Sequence, residues 1–190
     1  MSLRVYVARP ISGCSFEEVT KYYLATTRRL RACGARVYHP MVGKEKLRCE
    51  KKFKSVGYDG IPCATNHAIT ERDFWMVEQA DIVFINLEVG TAIKEVSIGC
   101  ISELTAGHIL RKHTVVVMNQ ELKSNGEPVN IHNHCFPLHC ADVIFPNYED
   151  TMKYLEELIG DVEDRYPYEQ PKGMNKYPNT EACGKKDANS

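Results

Sequence analysis

Five short runs rich in apolar residues alternate with longer segments of helical character, and this alternation restricts the possible folds more than any other feature of the chain. The apolar runs cover residues 3–8, 35–39, 81–87, 114–118 and 142–145, and the helical patterns cover residues 15–33, 70–79, 99–112 and 151–159. Strands that alternate with helices pair in parallel, because each helix returns the chain to the same end of the sheet. The sequence therefore predicts an α/β fold with a doubly wound, Rossmann- or flavodoxin-like parallel sheet of about five strands and right-handed crossovers.

The first strand, helix and second strand form the clearest unit of this pattern. Ser15 and Glu18 have the spacing of a capping box, in which two side chains satisfy free amide groups at the start of a helix. Gly34 follows the helical pattern and is typical of a helix end. The segment predicts a β-α-β unit that ends near Pro40.

The length of 190 residues suits one domain with a sizeable core, which we assign to residues 1–160. Residues 42–66 lack periodicity and carry six Lys and Arg residues between positions 44 and 54, so we interpret them as an inserted basic loop. A solvated surface excursion is favoured there over a phosphate-attracting lid. Residues 161–190 are rich in Pro, Asn, Lys, Glu and Gly, which predicts a flexible tail.

Charge and the N-terminal sequence limit the classes of function. The formal net charge is -1 and the pI is near 6.7, so no overall positive field would draw the protein to polymeric nucleic acid or to a membrane. The first residues enter a strand pattern without the basic and apolar regions of a signal peptide, and no run is long enough to span a bilayer. We therefore expect a cytoplasmic protein that acts on a small molecule.

Eight cysteines are scattered along the chain without a CxxC pair, and without an export signal they predict free thiols rather than a disulfide framework. A denser group lies at residues 132–140, with three histidines and two cysteines. Zinc prefers such ligands, but the spacing matches no standard site. A loop of ordinary histidines is therefore favoured, and no metal is assigned.

A carboxylate shortly after the third predicted strand is the first candidate for chemistry. Two frames that begin with glycine compete there, one ending at Glu95 and the other at Glu103. We favour Glu103, because the residues after it continue as a helix towards the next strand. Ligands of parallel α/β sheets bind beyond the carboxyl ends of the strands, where this glutamate is expected. The alternative is an ordinary glutamate that the dipole of the first helical turn stabilises.

Three other polar side chains have structural explanations as well as functional ones. Asp73 could close a capping box with Thr70, and Asp81 could simply open a strand. Tyr6 lies within the first strand, where a phenol either completes a core or donates a hydrogen bond to a carboxylate. None of the three identifies a function alone.

Three segments together resemble a known enzyme family. They are residues 5–13 (VYVARPISG), 72–83 (RDFWMVEQADIV) and 96–104 (VSIGCISEL). Their order and spacing are similar to those of the nucleoside 2-deoxyribosyltransferase superfamily, which also includes nucleoside 5'-monophosphate N-glycosidases. The likeness extends over residues 3–159, and three motifs in agreement are far more specific than any single one.

The resemblance implies roles for individual residues. Glu103 matches the nucleophile of the family, Asp73 the acid that contacts the leaving base, and Tyr6 the phenol that holds the nucleophile. The implied substrate-binding residues are Arg9, Pro10, Asp81, Ser97 and Gly99. The chemistry agrees, because cleavage of an N-glycosidic bond builds positive charge on the sugar, which a carboxylate can stabilise or trap while a second acid protonates the base. No cofactor is implied.

Two positions depart from the common family pattern and concern the substrate. Arg9 stands where many members have glycine, and Ser97 stands where transferases often have aspartate and the monophosphate-cleaving branch has serine. A hydroxyl at a helix N-terminus suits an anion better than a carboxylate does. These residues and the basic insertion favour a phosphorylated substrate, although Ser97 could also be a plain N-cap.

The leading hypothesis is an enzyme that cleaves the N-glycosidic bond of a (deoxy)nucleoside or its 5'-monophosphate through a covalent glycosyl-Glu103 intermediate. The sugar then passes to another base, as in a transferase, or to water, as in an N-glycosidase. A non-catalytic nucleotide sensor on the same fold and a zinc-stabilised interaction module are the alternatives. The resemblance also implies a homodimer or larger homo-oligomer with shared pockets, to which residues 132–139 would contribute.

Overall fold

The computed structural model describes residues 2–91 and 95–160, and these contain five strands and five α-helices. The strands are β1 (Arg4–Ala8), β2 (Arg36–Tyr38), β3 (Ile82–Asn86), β4 (His113–Val117) and β5 (Val143–Phe145). The helices are α1 (Phe16–Ala32), α2 (Asn66–Gln79), α3 (Ile98–Ile109), α4 (Cys135–Cys140) and α5 (Tyr148–Ile159). All the predicted strands are present, each within one residue of its predicted ends.

Neighbouring strands all pair in parallel, in the order β2-β1-β3-β4-β5. In the central pair, Tyr6 of β1 lies opposite Val83 of β3. This is the flavodoxin-like order, and it confirms the predicted doubly wound α/β fold. The chain leaves β1 and β3 towards opposite sides of the sheet, which opens a crevice between their carboxyl ends where ligands of such folds bind.

The two faces of the sheet carry separate cores, because side chains alternate along each strand. In β1, Val5 belongs to the core that α1 and α5 cover, whereas Tyr6 belongs to the core that includes residues of α2 and α3. Tyr6 is therefore directed towards the two helices that carry Asp73 and Glu103.

Helix α1 starts as the sequence predicts. Ser15 Oγ accepts a hydrogen bond of 3.2 Å from the Glu18 amide, and the Glu18 carboxylate accepts one of 3.4 Å from the Ser15 amide. Gly34 follows the helix with a φ of 92°, a left-handed conformation that glycine adopts without strain. The parallel pairing of β1 with β2 completes the predicted β-α-β unit.

Helix α2 begins earlier than predicted, so the proposed capping box of Thr70 and Asp73 is wrong. The helix starts at Asn66, and its N-cap is Thr65, whose hydroxyl accepts a hydrogen bond from the Ala68 amide. The residues before Asn66 show no helical periodicity, so the sequence pattern does not reveal this start. Asp73 therefore lies in the middle of α2, where its side chain does not cap the helix.

Residues 42–66 pack against the domain, so the expectation of a purely solvated excursion is wrong. They contain two 3-10 helices, Glu45–Cys49 and Pro62–Ala64. The buried side chains of this segment are Lys44, Leu47, Phe53, Tyr58 and Ala64. Backbone hydrogen bonds of 2.8 Å, from Gly13 to the Phe53 carbonyl and from Phe53 to the Cys14 carbonyl, fasten the segment to the loop after β1.

Some predictions concern features other than the sheet. The seven cysteines in the described part of the chain are free thiols, as expected. Within residues 2–91 and 95–160, no helix has the length and apolar character needed to cross a membrane.

Helix α4 falls in the histidine-containing segment, for which the sequence predicts no helix. The predicted tail at 161–190 lies outside the described residues.

Candidate active site

A buried hydrogen bond joins the first strand to the third helix. Tyr6 Oη on β1 donates to Glu103 Oε1 on α3 at 2.7 Å. Tyr6 is fully buried, and Glu103 is 7% exposed. Glu103 lies in the second turn of α3, whereas the competing Glu95 precedes the helix. Since α3 follows the carboxyl end of β3, Glu103 lies beside the crevice between β1 and β3.

Asp73 brings a second buried carboxyl group from α2. It is also 7% exposed, and Arg72 Nε donates to its Oδ1 atom at 3.1 Å. Arg72 is itself fixed, because Nη1 donates to the Cys63 carbonyl at 2.8 Å and Nη2 to the Pro40 carbonyl at 3.3 Å. The charge of Asp73 raises the pKa of Glu103, so the two buried carboxyl groups interact electrostatically.

Burial and, less strongly, the charge of Asp73 raise the pKa of Glu103 to about 8. The Tyr6 hydrogen bond and the charge of Lys44 lower it by less. Burial raises the pKa of Asp73 as well, but Lys44 and Arg72 oppose the rise. These two cations favour the ionised form of Asp73, whereas the pKa of about 8 favours the protonated form of Glu103 at neutral pH.

Lys44 is a site residue that the sequence does not reveal. It belongs to the inserted segment, yet it is only 4% exposed. Burial lowers the pKa of its ammonium group, whereas the charges of Asp73 and, less strongly, Glu103 raise it. Within a run of basic residues nothing in the spacing distinguishes this lysine, so only the packed structure identifies it.

Arg9 and Pro10 begin the loop after β1. The Arg9 amide donates to the Tyr23 phenol at 3.2 Å, and its guanidinium group lies 4.8 Å from the centre of the Tyr22 ring. Its Nε atom donates to the carbonyl of the buried Pro10 at 3.3 Å. Burial raises the pKa of the Cys100 thiol in α3, and the charge of Arg9 opposes this rise.

The start of α3 is held by the segment after β4 rather than by its own cap. Ser97 occupies the N-cap position, but its side chain makes no capping hydrogen bond. Its backbone amide donates to His132 Nε2 at 2.9 Å. Gly99, in the first turn, has open space where a side chain would lie. The alternative of Ser97 as a plain N-cap is therefore not observed, and the N-terminus of α3 is open at Gly99.

His132 is a second residue whose place the sequence does not reveal. It is 1% exposed, and because burial lowers the pKa of its ring, the neutral imidazole accepts from the Ser97 amide. The His132 amide donates to Asn130 Oδ1 at 2.9 Å, and Asn130 Nδ2 donates to the Leu87 carbonyl at 2.8 Å. These hydrogen bonds link the end of β3 to the start of α3. Gly90 fits beside them only because it has no Cβ, which would overlap Asn130 Oδ1.

The structure separates His132 from the other residues of the segment 132–139. His132 is bound within its own subunit, so it is not available to the pocket of a neighbour. The remaining residues His134, Cys135 and His139 are exposed. In the part of the chain that the structure describes, no group of three or more His, Cys, Asp or Glu side chains could hold a metal ion. The zinc-stabilised module gains no support there.

Asp81 lies away from the candidate site, and its predicted role in substrate binding is wrong. It precedes β3, at the amino end of a strand whose carboxyl end faces the site, and the strand separates the two ends by roughly 16 Å at about 3.3 Å per residue. Its Oδ1 atom accepts from Arg4 Nη2 at 2.7 Å, and its Oδ2 atom accepts from the Arg4 amide at 2.9 Å. These bonds lower the pKa of Asp81 and join the starts of β1 and β3.

Comparison with known proteins concerns the fold. No family model matches the chain, and no curated protein matches its sequence. The crystal structure of a conserved protein from Enterococcus faecalis is similar to it with a TM-score of 0.55 and 15% identity, covering 83% of this chain and 99% of that one. The chain shares its fold with that protein.

Two further solved structures are similar at lower TM-scores. A 2-deoxyribosyltransferase from Bacillus psychrosaccharolyticus has a TM-score of 0.48 and 21% identity, with 83% of this chain and 96% of that chain covered. A CMP N-glycosidase from Clostridium botulinum has a TM-score of 0.45 and 15% identity, with 86% and 99% covered. At these identities such likenesses assign no role to a residue.

Proposed function

We propose that the chain is an enzyme of the nucleoside 2-deoxyribosyltransferase superfamily that cleaves the N-glycosidic bond of a nucleoside or its 5'-monophosphate. The observation that carries the proposal is the buried group of Tyr6, Asp73 and Glu103, which come from three elements and meet beside the crevice between β1 and β3. Burial of two carboxyl groups is costly even where Arg72 and Tyr6 bind them, and buried carboxyl groups with raised pKa values are typical of active sites.

The reaction begins when a carboxylate oxygen of Glu103 attacks C1' of the sugar and the C1'–N bond breaks. The electron pair of that bond moves to the ring nitrogen of the base, which takes a proton from Asp73. An ester then joins the sugar to Glu103. Attack by a second base completes a transfer, whereas attack by water completes a hydrolysis, and either step frees the carboxylate.

Tyr6 positions the nucleophile and stays a phenol. Burial raises the pKa of Tyr6, and the charge of Glu103 adds to this, so the hydroxyl keeps its proton at neutral pH. Its hydrogen bond favours the ionised form of Glu103. It also holds Oε1, which leaves Oε2 as the oxygen that attacks the sugar.

Protonation of the carboxyl pair sets the pH range of the reaction. Attack requires an ionised Glu103 and departure of the base requires a proton on Asp73, whereas the ligand-free protein keeps the proton on Glu103. Substrate binding must therefore favour the state in which Glu103 is ionised and Asp73 carries the proton. We expect a bell-shaped profile of kcat/KM whose upper limb falls near pH 8, because the pair loses this proton above that pH.

A 5'-phosphate fits the N-terminus of α3. The Ser97 side chain makes no capping bond there, Gly99 leaves open space, and the charge of Arg9 acts on Cys100 in the same turn. Free amide groups and the helix dipole favour anions at this position. These observations support Ser97, Gly99 and Arg9 as ligands of a phosphate group, with Pro10 shaping the adjoining loop.

An apolar cleft between α2, α3 and α4 supports assembly of two copies of the chain. Its apolar lining includes Phe74, Ile101, Ile109 and Phe136. Ile109 is 70% exposed and Phe136 is 57% exposed, and exposed apolar patches of this kind mark interaction surfaces. We place a homodimer contact on this cleft. Light scattering should show dimers for the wild type and monomers for Ile109→Lys.

The test of the reaction incubates the protein with ribo- and deoxyribonucleosides and their 5'-monophosphates, with and without a free acceptor base, and follows the bases by chromatography. The wild type should release or exchange a base. Glu103→Gln should do neither while keeping its circular dichroism spectrum. Tight binding of a nucleotide without release of base from any compound would favour the non-catalytic sensor instead.

A further inference from the structure

Lys44 introduces a cation into the candidate site from the inserted segment. Its neighbours Glu45 and Lys46 are exposed, yet Lys44 itself is 4% exposed. Lysine is almost never fully buried unless a partner compensates the removal of its charge from water. Within residues 2–91 and 95–160, no hydrogen bond or ion pair of the Lys44 ammonium group is found. This buried donor is therefore available to a bound molecule.

A rigid turn fixes the position of Lys44. The residue is the N-cap of the 3-10 helix Glu45–Cys49, its amide donates to the Met41 carbonyl at 3.1 Å, and its carbonyl accepts from the Leu47 amide at 2.9 Å. Met41 and Leu47 are both buried. Gly43 has a φ of 77°, which lets the chain turn here without strain. Lys44 is thus held by packed backbone rather than by a loose surface loop.

Arg72 connects this turn to Asp73. Arg72 lies beside Gly43 of this turn, since a Cβ added to the glycine would be 3.6 Å from Arg72 Nη1. On its other side, Arg72 Nε donates to Asp73 Oδ1 at 3.1 Å. Lys44 accordingly interacts more strongly with Asp73 than with Glu103. In the proposed function Asp73 contacts the leaving base, and the turn that carries Lys44 lies beside the arginine that binds Asp73.

We propose that Lys44 binds the leaving base and stabilises the negative charge that the base gains, an inference that rests on the proposed function. A lysine ammonium group has three donors and no acceptor. It fits the acceptor atom next to the glycosidic nitrogen, which is the 2-carbonyl oxygen of a pyrimidine or N3 of a purine.

The bond changes are balanced without a further reactant. When the C1'–N bond breaks, its electron pair enters the base ring and adds charge at this acceptor. Lys44 donates a hydrogen bond to the acceptor and keeps its own proton. Asp73 supplies the proton that the ring nitrogen receives. Lys44 would therefore contribute most when the departing base is a weak acid, because such a base depends most on stabilisation of its charge.

A role in charge balance alone would have different consequences. If Lys44 only neutralised Asp73 and Glu103, its removal would raise the pKa values of both carboxyl groups and move the pH profile upwards for every substrate alike. If Lys44 instead contacts the leaving base, its removal should lower the rate by an amount that depends on the acidity of that base. Dependence on the leaving group therefore separates the two roles.

The test compares Lys44→Met with Lys46→Met, which changes an exposed lysine of the same 3-10 helix. Methionine has a similar length and no charge, and Arg72 still binds Asp73 in this variant. The pKa values of Asp73 and Glu103 should rise, because the charge of Lys44 lowers both. The substrates carry uracil, the more acidic 5-fluorouracil, or adenine, and each rate is measured at the optimum pH of the variant.

We expect Lys44→Met to lower kcat/KM about 100-fold for uracil and about 10-fold for 5-fluorouracil, with Lys46→Met within about twofold of the wild type. If Lys44→Met lowers kcat/KM for the adenine substrate but not for the two pyrimidine substrates, the contact of Lys44 is with N3 of a purine. Equal losses for uracil and 5-fluorouracil, or no loss beyond that of Lys46→Met, would overturn the proposal.

Binding of free bases separates failure of this inference from failure of the proposed function. Calorimetry measures the affinity of uracil and adenine for the wild type and both variants. Weakening of about tenfold or more in Lys44→Met alone supports base recognition even if no compound is cleaved, in which case only the reaction is refuted. If the wild type neither binds a base nor cleaves any compound, both proposals fall.

Discussion

The Tyr6 hydroxyl lies 2.7 Å from Glu103 Oε1, although the two residues are 97 positions apart in the chain. Both groups are buried, where a hydrogen bond is electrostatically stronger than in water. The bond favours the ionised carboxylate and opposes the effects of burial and of Asp73 on its pKa. Tyr6 therefore controls how readily Glu103 becomes a nucleophile.

Tyr6→Phe should lower kcat/KM at pH 7 about 10- to 100-fold, the range expected for loss of a hydrogen bond to a charged group. The pKa of Glu103 should rise, because the bond that lowers it is gone. Rates measured from pH 5 to pH 10 should show both the loss and a shift of the profile to higher pH. A variant whose profile coincides with that of the wild type would show that the phenol only fills the core.

Glu103→Gln should stabilise the fold, and more at pH 8 than at pH 5. The pKa of Glu103 is about 8 in the folded protein against 4.5 in the unfolded chain, so the unfolded state binds fewer protons between these values. The free energy of unfolding of the wild type therefore falls as the pH rises through this interval, whereas glutamine needs no proton.

The difference should be on the order of 3 kcal/mol at pH 8, given about 1.36 kcal/mol for each unit of pKa. Urea unfolding of both proteins at the two pH values measures it. Glutamine keeps an oxygen that accepts from Tyr6, so packing is matched. A difference that does not change with pH would contradict the raised pKa.

Gly90→Ala should destabilise the protein far more than Gly99→Ala. A Cβ at position 90 would overlap Asn130 Oδ1 and crowd His132 Nδ1, and overpacking of this kind costs about 1–3 kcal/mol. Position 99 has open space and lies in a helix, where alanine is favoured over glycine. Denaturation midpoints provide the comparison, and equal stability of the two variants would show that the network around residue 130 is loose.

Asp81→Asn should leave the rate of base release within about twofold of the wild type. The side chain binds Arg4 at the amino end of the sheet and touches no part of the candidate site. Arg4 lowers the pKa of Asp81, so the pair stabilises the fold above the ordinary pKa and loses this effect as the pH falls through the lowered value. Wild type and variant should therefore differ in stability at neutral pH and converge in acid, and a large loss of activity would return Asp81 to the site.

The fold was predictable because its determinants are local. Short apolar runs indicate the strands, and the Ser15 capping box and Gly34 mark the ends of one helix. Parallel pairing then follows from the order of elements alone. The position of Glu103 in a helix after the third strand was also predictable from the local pattern, whereas the roles of Tyr6 and Glu103 came from the resemblance of three segments to a known family.

Lys44 and His132 were not predictable, because their burial depends on segments that are distant in sequence. In the sequence, Lys44 does not differ from the exposed lysines around it, and it is buried only because the insertion packs beside Arg72. In the sequence, His132 does not differ from an ordinary loop histidine, and only the structure shows that its ring accepts a hydrogen bond from the Ser97 amide. The error at Asp81 has another cause, because proximity to a strand in sequence does not say which end of the sheet a residue occupies.

The most direct test concerns the bond between Glu103 and the sugar. Protein that is turning over substrate is quenched in acid and digested, and the peptide that contains residue 103 is examined by mass spectrometry. We predict a mass increase equal to one glycosyl group on Glu103, absent from the Glu103→Gln protein. Continued release of base with no adduct on that peptide, or with the sugar attached to a different side chain, would contradict the assignment of Glu103 as the nucleophile.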